Sequence, residues 1–422
     1  MPDGAGAAAT LIDGVRPQSI ESRGSWFAAS LTLAILSISF GSPLLVVVGL
    51  KPMTEALGTD RSIIALAGSL VWIGNGLGGI LMGWLADRIG IRATVAMGAL
   101  MMALGLAIST QGSVWALYVG HGLLVGLLGN GAIYAPLVIH VSRWFDRRRG
   151  TAIALISSGQ YISGVVWPAL FERGIAAFGW QWVMLAYAGV VAVAILPLVP
   201  FLRPAPDAPA TGAGAPTPGG RASRVLGFPA NVTQGLVCLA GFCCCVPMAI
   251  PSAHLVAFCS DLGISPAHGA AMLSVLLAAA FISRQIWGAM ADRHGGLRTI
   301  LVGSTLQALA ILAFLLTQSE IGLFAVSAAF GLGFSGLIPS YSVTIRDLYP
   351  SAEASWRIPT TLFSAMSGMA FGSWFAGMLY DQFGYYAPAF GAGIAFNLLN
   401  IVIIGMLVSR LPRAPERGLV RA

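Results

Sequence analysis

The stretch AAAFISRQIWGAMADRHG, Ala278 to Gly295, has membrane-helix character broken by one permanent charge, Arg284. At 1.5 Å per residue, Arg284 lies about 12 Å along a helix from Asp292, near the middle of a hydrocarbon layer roughly 30 Å thick. A charge at that depth costs about 2.5–3.5 kcal/mol on insertion scales. It should face a wet cavity and meet an anion. None of the 16 acidic residues is expected deep in an apolar run, so a substrate is the leading anion, and a guanidinium offers a planar two-donor fork that fits a carboxylate. The structural alternative is that Arg284 donates to freed helix carbonyls or snorkels toward water.

Other polar groups fall at similar depth. In GLLGNGAIYAPLVIH, Asn130 and Tyr134 are one helical turn apart and share a face. Gln160, Tyr161 and Tyr341 are further candidates. Each has two open readings, substrate binding or hydrogen bonding between helices. Lys51 follows an apolar run and suits anion attraction or an ordinary interfacial position. His121, His140 and His254 could each relay a proton, having a pKa near neutrality, or pack as neutral rings. The five cysteines, Cys238, Cys243, Cys244, Cys245 and Cys259, match no ligand spacing and are read as small packing residues. No metal or cofactor is expected. Neither a catalytic Ser/His/Asp order nor a nucleotide loop occurs, which argues against an enzyme.

The elements that must position these groups are membrane helices. The chain is 57% hydrophobic and 9% charged, against roughly 25% charged for soluble proteins. Twelve apolar stretches are expected near 26–50, 63–86, 93–110, 113–141, 150–171, 180–202, 232–258, 268–291, 298–318, 321–345, 360–380 and 385–409. The net charge of +7 is not a nucleic-acid signature, because of how it is distributed. With the N-terminus in the cytoplasm, only Lys51, Arg61 and Arg173 fall on the outer side, Arg284 is in a span, and every other basic residue is cytoplasmic. Both termini are thus expected in the cytoplasm. The chain divides into a tail (1–25), a six-helix bundle (26–202), a Pro/Gly/Ala-rich flexible linker (203–230), a second bundle (231–410) and a tail (411–422). No cleavable leader is expected. The Arg-, Ala- and Gly-rich composition suggests a GC-rich bacterium and hence its inner membrane, and a monomer is expected.

The two halves repeat. GWLADRIGIR, from Gly83 to Arg92, matches GAMADRHGGLR, from Gly288 to Arg298, and Pro136 in the fourth span corresponds to Pro339 in the tenth. Duplicated bundles around a central site are a transporter design.

The residues Gly83, Asp87, Arg88, Gly90 and Arg92, with their copy around Asp292 and Arg293, resemble the signature of the major facilitator superfamily. The resemblance implies an all-α membrane fold of two pseudo-symmetric six-helix bundles. It also implies a cytoplasmic latch in which the acid and arginines cluster and the glycine lets helices approach. SRWFDRRRGTAIALISSGQYISGVVWP, from Ser142 to Pro168, is similar to the fifth helix of monocarboxylate transporters and oxalate/formate antiporters. In monocarboxylate transporters an eighth-helix arginine is followed four residues on by glycine, as Arg284 is by Gly288. Proton-linked eukaryotic members carry an aspartate one turn before that arginine, and Ala280 stands there instead. The antiporters use a second cation in the eleventh helix, and the stretch 360–380 has no Lys or Arg. The expectation is therefore a secondary transporter of small monocarboxylates such as lactate or pyruvate, proton-coupled, with the carboxylate on Arg284. The alternatives are an organic-anion exchanger and an exporter of amphiphilic compounds, the latter binding through its apolar cavity without need of Arg284.

Overall fold

The computed structural model describes residues 21–145, 148–204 and 224–411. Most of the expected N-terminal tail (residues 1–20), the middle of the linker (205–223) and nearly all of the C-terminal tail (412–422) lie outside the described residues.

Twelve helices are long and apolar enough to cross a membrane: Arg23–Val48, Arg61–Ile89, Ile91–Ser109, Val114–Ser142, Gly150–Phe178, Trp180–Phe201, Ala230–Asp261, Pro266–His294, Gly296–Leu316, Glu320–Leu348, Trp356–Phe383 and Ala387–Ser409. They are called spans 1 to 12 below. Several outrun the apolar stretch that marks them, as span 5 does by reaching Phe178. In hydrocarbon every backbone polar group must bond internally, so a helix continues until water can take over its free ends. Twelve crossings return the chain to the face it started from. That face, with the ends of the described chain and the linker, is called the termini face, and the opposite one the far face.

Local chemistry sets the helix ends. Ser22 and Ser25 form a reciprocal capping box at the start of span 1. Ser113, Ser265 and Ser319 each accept a backbone N–H in the first turn of spans 4, 8 and 10. The repeated motif ends spans 2 and 8 in the same way. Gly90 (φ 84°) and Gly295 (φ 80°) each close one helix and open the next, in a conformation that a side chain would strain.

Each half packs its own apolar core. One core is built almost wholly from spans 1 to 6 and the other from spans 7 to 12. The halves meet chiefly through spans 2 and 11, 5 and 8, and 1 and 7. Five spans are irregular, among them span 5, which breaks at Ser158, and span 6, which ends in a 3-10 helix, Leu196–Phe201. Span 1 breaks at Phe40, span 4 is π-helical from Val119 to Asn130, and span 10 breaks at Ser335–Gly336. The end of the linker departs from the flexible reading: Arg224–Val225 pairs antiparallel with Phe228–Pro229. The hairpin is tied to span 7 by the Thr233 hydroxyl, which donates to the Val225 carbonyl at 3.0 Å.

Candidate functional site: a cavity between the halves

A cavity of about 180 Å³ lies between the two bundles, lined by spans 1, 2, 4, 5, 7, 8, 10 and 11. Arg284 is in its wall. The guanidinium carbon is 5.3 Å from the centre of the Tyr161 ring, a cation–π geometry. Among the described residues no carboxylate ion-pairs with Arg284, and no acidic residue lines the cavity. Tyr134, Gln160 and Tyr161 line it too. Tyr134 packs edge-on against Phe40 at 5.5 Å. The Tyr161 hydroxyl approaches the Ser335 carbonyl at 3.4 Å, across the halves and at the break in span 10.

The structure separates the remaining candidates from this group. Asn130 is buried outside the lining, with neither side-chain amide atom hydrogen-bonded. The shared face expected for Asn130 and Tyr134 assumed α-helical pitch. That pitch holds between them, because the π-helical stretch ends at Asn130 and the span is α-helical from Gly131, yet of the two only Tyr134 reaches the cavity. Tyr341 is fully buried within the second bundle, where it donates to Asn400 Oδ1 at 3.0 Å while Asn400 donates to Ser304 Oγ at 2.7 Å. It acts there as a helix-to-helix tie. His121 pairs with Ser109 at 2.9 Å, and His140 accepts from Trp144 Nε1 at 3.2 Å. Asn75, Ser252, Ser335 and Ser373 do line the cavity. Asn75, in WIGNGLGG, could have been found by the same rule that picked out Asn130, a polar amide in an apolar run.

The far end of the cavity is closed by a polar cluster that the sequence did not reveal. Arg61, counted above as an outer loop residue, is the first residue of span 2 and is buried. Its guanidinium grips Asp261, at the end of span 7, with two hydrogen bonds, one of 2.7 Å. It also donates to the Tyr386 hydroxyl at 3.0 Å and lies 3.7 Å over the Tyr380 ring. Asp381, near the end of span 11, accepts the backbone N–H groups of Arg61 and Ser62 at 2.9 and 2.8 Å. A carboxylate of the second half thus caps a helix of the first, against the positive end of that helix's dipole. Lys51 sits in a separate short helix, Leu50–Leu57, and donates to Ser260 Oγ at 3.0 Å, also across the halves. Burial, the largest influence, pushes the Tyr386 hydroxyl pKa up, so it stays protonated. His254 Nε2 lies 2.7 Å from the Ser373 carbonyl, which only accepts, so Nε2 carries a proton. Nδ1 of the neutral ring then accepts from Tyr386 at 3.0 Å. The chain Arg61–Tyr386–His254–Ser373 runs from the closed end to the cavity wall.

The termini face is arranged differently. Asp87 pairs with Arg143 at 3.1 Å within the first half, and both side chains are exposed. Arg88 lies 3.9 Å over Trp84, and Arg92 donates to the Leu202 carbonyl at 2.7 Å, again within the first half. Asp292 and Arg293 are exposed. The close approach expected at the motif glycines is not made in this state: a Cβ on Gly288 would meet nothing within 4 Å, and one on Gly83 only Ile139 at 3.9 Å. At the far face a Cβ on Gly377 would come within 2.8 Å of Ser62 Cα. Arg357, just outside the stretch searched for a second cation, belongs to the first turn of span 11. It pairs with Glu353, lies 4.2 Å over Tyr349 and does not line the cavity. Among the described residues, every ion pair between the halves is at the far face.

This arrangement of two bundles around a shared cavity is that of a membrane transporter. The Major Facilitator Superfamily model matches residues 27–258 and 237–421, and the chain belongs to that family. The protein is a transporter, not an enzyme. It is 26% identical over 297 residues to the MFS-type transporter pynF of Aspergillus niger, covering 69% of this chain and 66% of the relative. It is 26% identical over 318 residues to monocarboxylate transporter 13 of Rattus norvegicus, covering 74% of this chain and 72% of the relative. The crystal structure of a point mutant of the nucleoside transporter NupG superposes with a TM-score of 0.70 at 14% identity, covering 91% of this chain and 99% of that one. At that identity the likeness shows the fold.

Proposed function

We propose that the protein is a secondary active transporter of small monocarboxylates that works by alternating access in a bacterial inner membrane. The termini face is then cytoplasmic, as the distribution of arginine supports. The observation that carries the reading is Arg284, a cation in the wall of the inter-bundle cavity with no carboxylate partner among the described residues. A half-buried charge in a cavity wall, left without a protein counterion among the described residues, favours binding an anionic ligand. Tyr134, Gln160 and Tyr161 offer hydroxyl and amide groups beside it for the second carboxylate oxygen or an α-substituent. The low-identity likeness to monocarboxylate transporter 13 agrees with this class of substrate. With no acid in the cavity wall, protons accompany transport on the substrate carboxylate itself or through His254.

The test is uptake of labelled lactate into proteoliposomes, with and without an inward proton gradient. Wild type should accumulate lactate when the gradient is present, and Arg284→Ala should abolish uptake. Undiminished uptake by Arg284→Ala would sink the reading. Exchange without gradient dependence would assign an antiporter instead.

A further inference from the structure

The polar groups of the cavity gather at one depth, and its apolar lining extends well beyond them. At 1.5 Å per residue, Tyr134, Gln160, Tyr161 and Arg284 lie about 12–16 Å from the termini-face ends of spans 4, 5 and 8. Phe40, Trp72, Met248 and Leu277 lie about 25–27 Å from the termini-face ends of spans 1, 2, 7 and 8, and Met366 and Met369 of span 11 bridge the two levels at about 15–20 Å. Ser373 is level with these, Ser252 lies beyond them, and then comes the closed far-face cluster. The site therefore has a cationic, hydrogen-bonding end and a deeper apolar end. The apolar end is built from two aromatic rings, Leu277 and Met248, and Met366 and Met369 line the way to it; methionines are flexible and polarisable and fit themselves to varied apolar shapes. One water needs about 10–15 Å³ of such space, so a cavity of about 180 Å³ holds roughly a dozen water-sized groups. A three-carbon acid would fill about half of that and leave the apolar end empty.

We infer that the preferred substrate is a monocarboxylate with an apolar body larger than that of lactate or pyruvate, a medium-chain or aryl-substituted acid. Its carboxylate sits on Arg284 and its body lies against Phe40, Trp72 and the methionines. The inference rests on the proposed carboxylate-binding role of Arg284 and adds the size and polarity of the rest of the substrate. Each buried methylene contributes about 0.8 kcal/mol, about fourfold in affinity.

The test is isothermal titration of the purified full-length protein in detergent at pH 7 with propionate, lactate, butyrate, hexanoate, phenylpyruvate and hexanamide. Hexanoate and phenylpyruvate should bind at least tenfold more tightly than propionate and lactate, hexanamide should not bind measurably, and Arg284→Ala should weaken all the acids. Ala253→Phe, which adds a ring to the cavity wall, should reduce the preference for hexanoate over propionate. Affinity that is flat or falls with chain length, with Arg284 still required, overturns the inference and leaves the carboxylate reading standing. Hexanamide binding as tightly as hexanoate, with Arg284 dispensable, overturns both and assigns the cavity to uncharged amphiphiles.

Discussion

Two arginines in this molecule share a chemistry and differ in their partners. Arg61 is satisfied within the protein by Asp261, Tyr386 and Tyr380, whereas Arg284, among the described residues, meets Tyr161 and no carboxylate. A saturated cation holds structure, and an unsaturated one in a cavity is available to a ligand. Lysine cannot present the same two-donor fork, so Arg284→Lys should retain some substrate binding but lose at least tenfold in affinity, read by the same titration. Asp261→Asn should act differently. Removing one partner of a buried pair costs about 3–5 kcal/mol; Asp261 is partly exposed, so about 2 kcal/mol is a fairer figure, roughly thirtyfold. That loss falls only on the far-closed state. A thiol introduced by Ser252→Cys in the cavity should therefore react faster with an impermeant reagent from the far face in Asp261→Asn, and the exchanged pair Arg61→Asp with Asp261→Arg should restore protection. Unchanged labelling in Asp261→Asn would remove the cluster from any gating role.

At the scale of elements, the irregular helices do the positioning. The break at Ser335–Gly336 lets span 10 approach span 8 so closely that a Cβ on Gly336 would collide with the Trp287 side chain. Trp287 is close to one turn from Arg284 and donates its indole N–H to the Leu332 carbonyl at 2.7 Å. Ser283, beside Arg284, shares a 2.8 Å hydrogen bond with Ser335. Span 10 thus holds span 8 on both sides of the arginine. Overpacking at such a contact costs about 1–3 kcal/mol, so Gly336→Ala should lower the melting temperature and weaken substrate binding together. A loss of stability with binding intact would show that span 10 does not orient Arg284. Hydropathy foretells the span but not its break, because the apolar run continues with little interruption through Phe334, Ser335, Gly336 and Leu337.

At the scale of the whole molecule, the far face is sealed by ion pairs, a borrowed helix cap and the close packing of Gly377 on Ser62. Among the described residues, the termini face has its ion pairs confined within each half. The structure is closed at one end of the cavity, which is one of the two states that alternating access requires. Gly377→Leu places a wedge between spans 2 and 11 where only a hydrogen atom fits. It should keep the far face from sealing, raise far-face labelling of Ser252→Cys and stop accumulation of substrate in proteoliposomes. Wild-type transport in Gly377→Leu would mean that the contact is not needed for closure.

The sequence by itself determined the membrane class, the twelve spans, the paired halves and the anomaly at Arg284. Those properties are local: an apolar run of sufficient length, a repeated motif, and a charge whose cost depends on depth alone. Only the tertiary structure decided that Arg61 meets Asp261, that Tyr341 ties helices together while Asn75 faces the cavity, and that Phe40, Trp72 and Met248 line the cavity deeper than the arginine. Lipid is as apolar as a helix interior, so hydrophobic periodicity does not mark which face of a membrane helix is turned inward. That orientation is set by packing between spans far apart in the chain, as between spans 2 and 11 or 5 and 8.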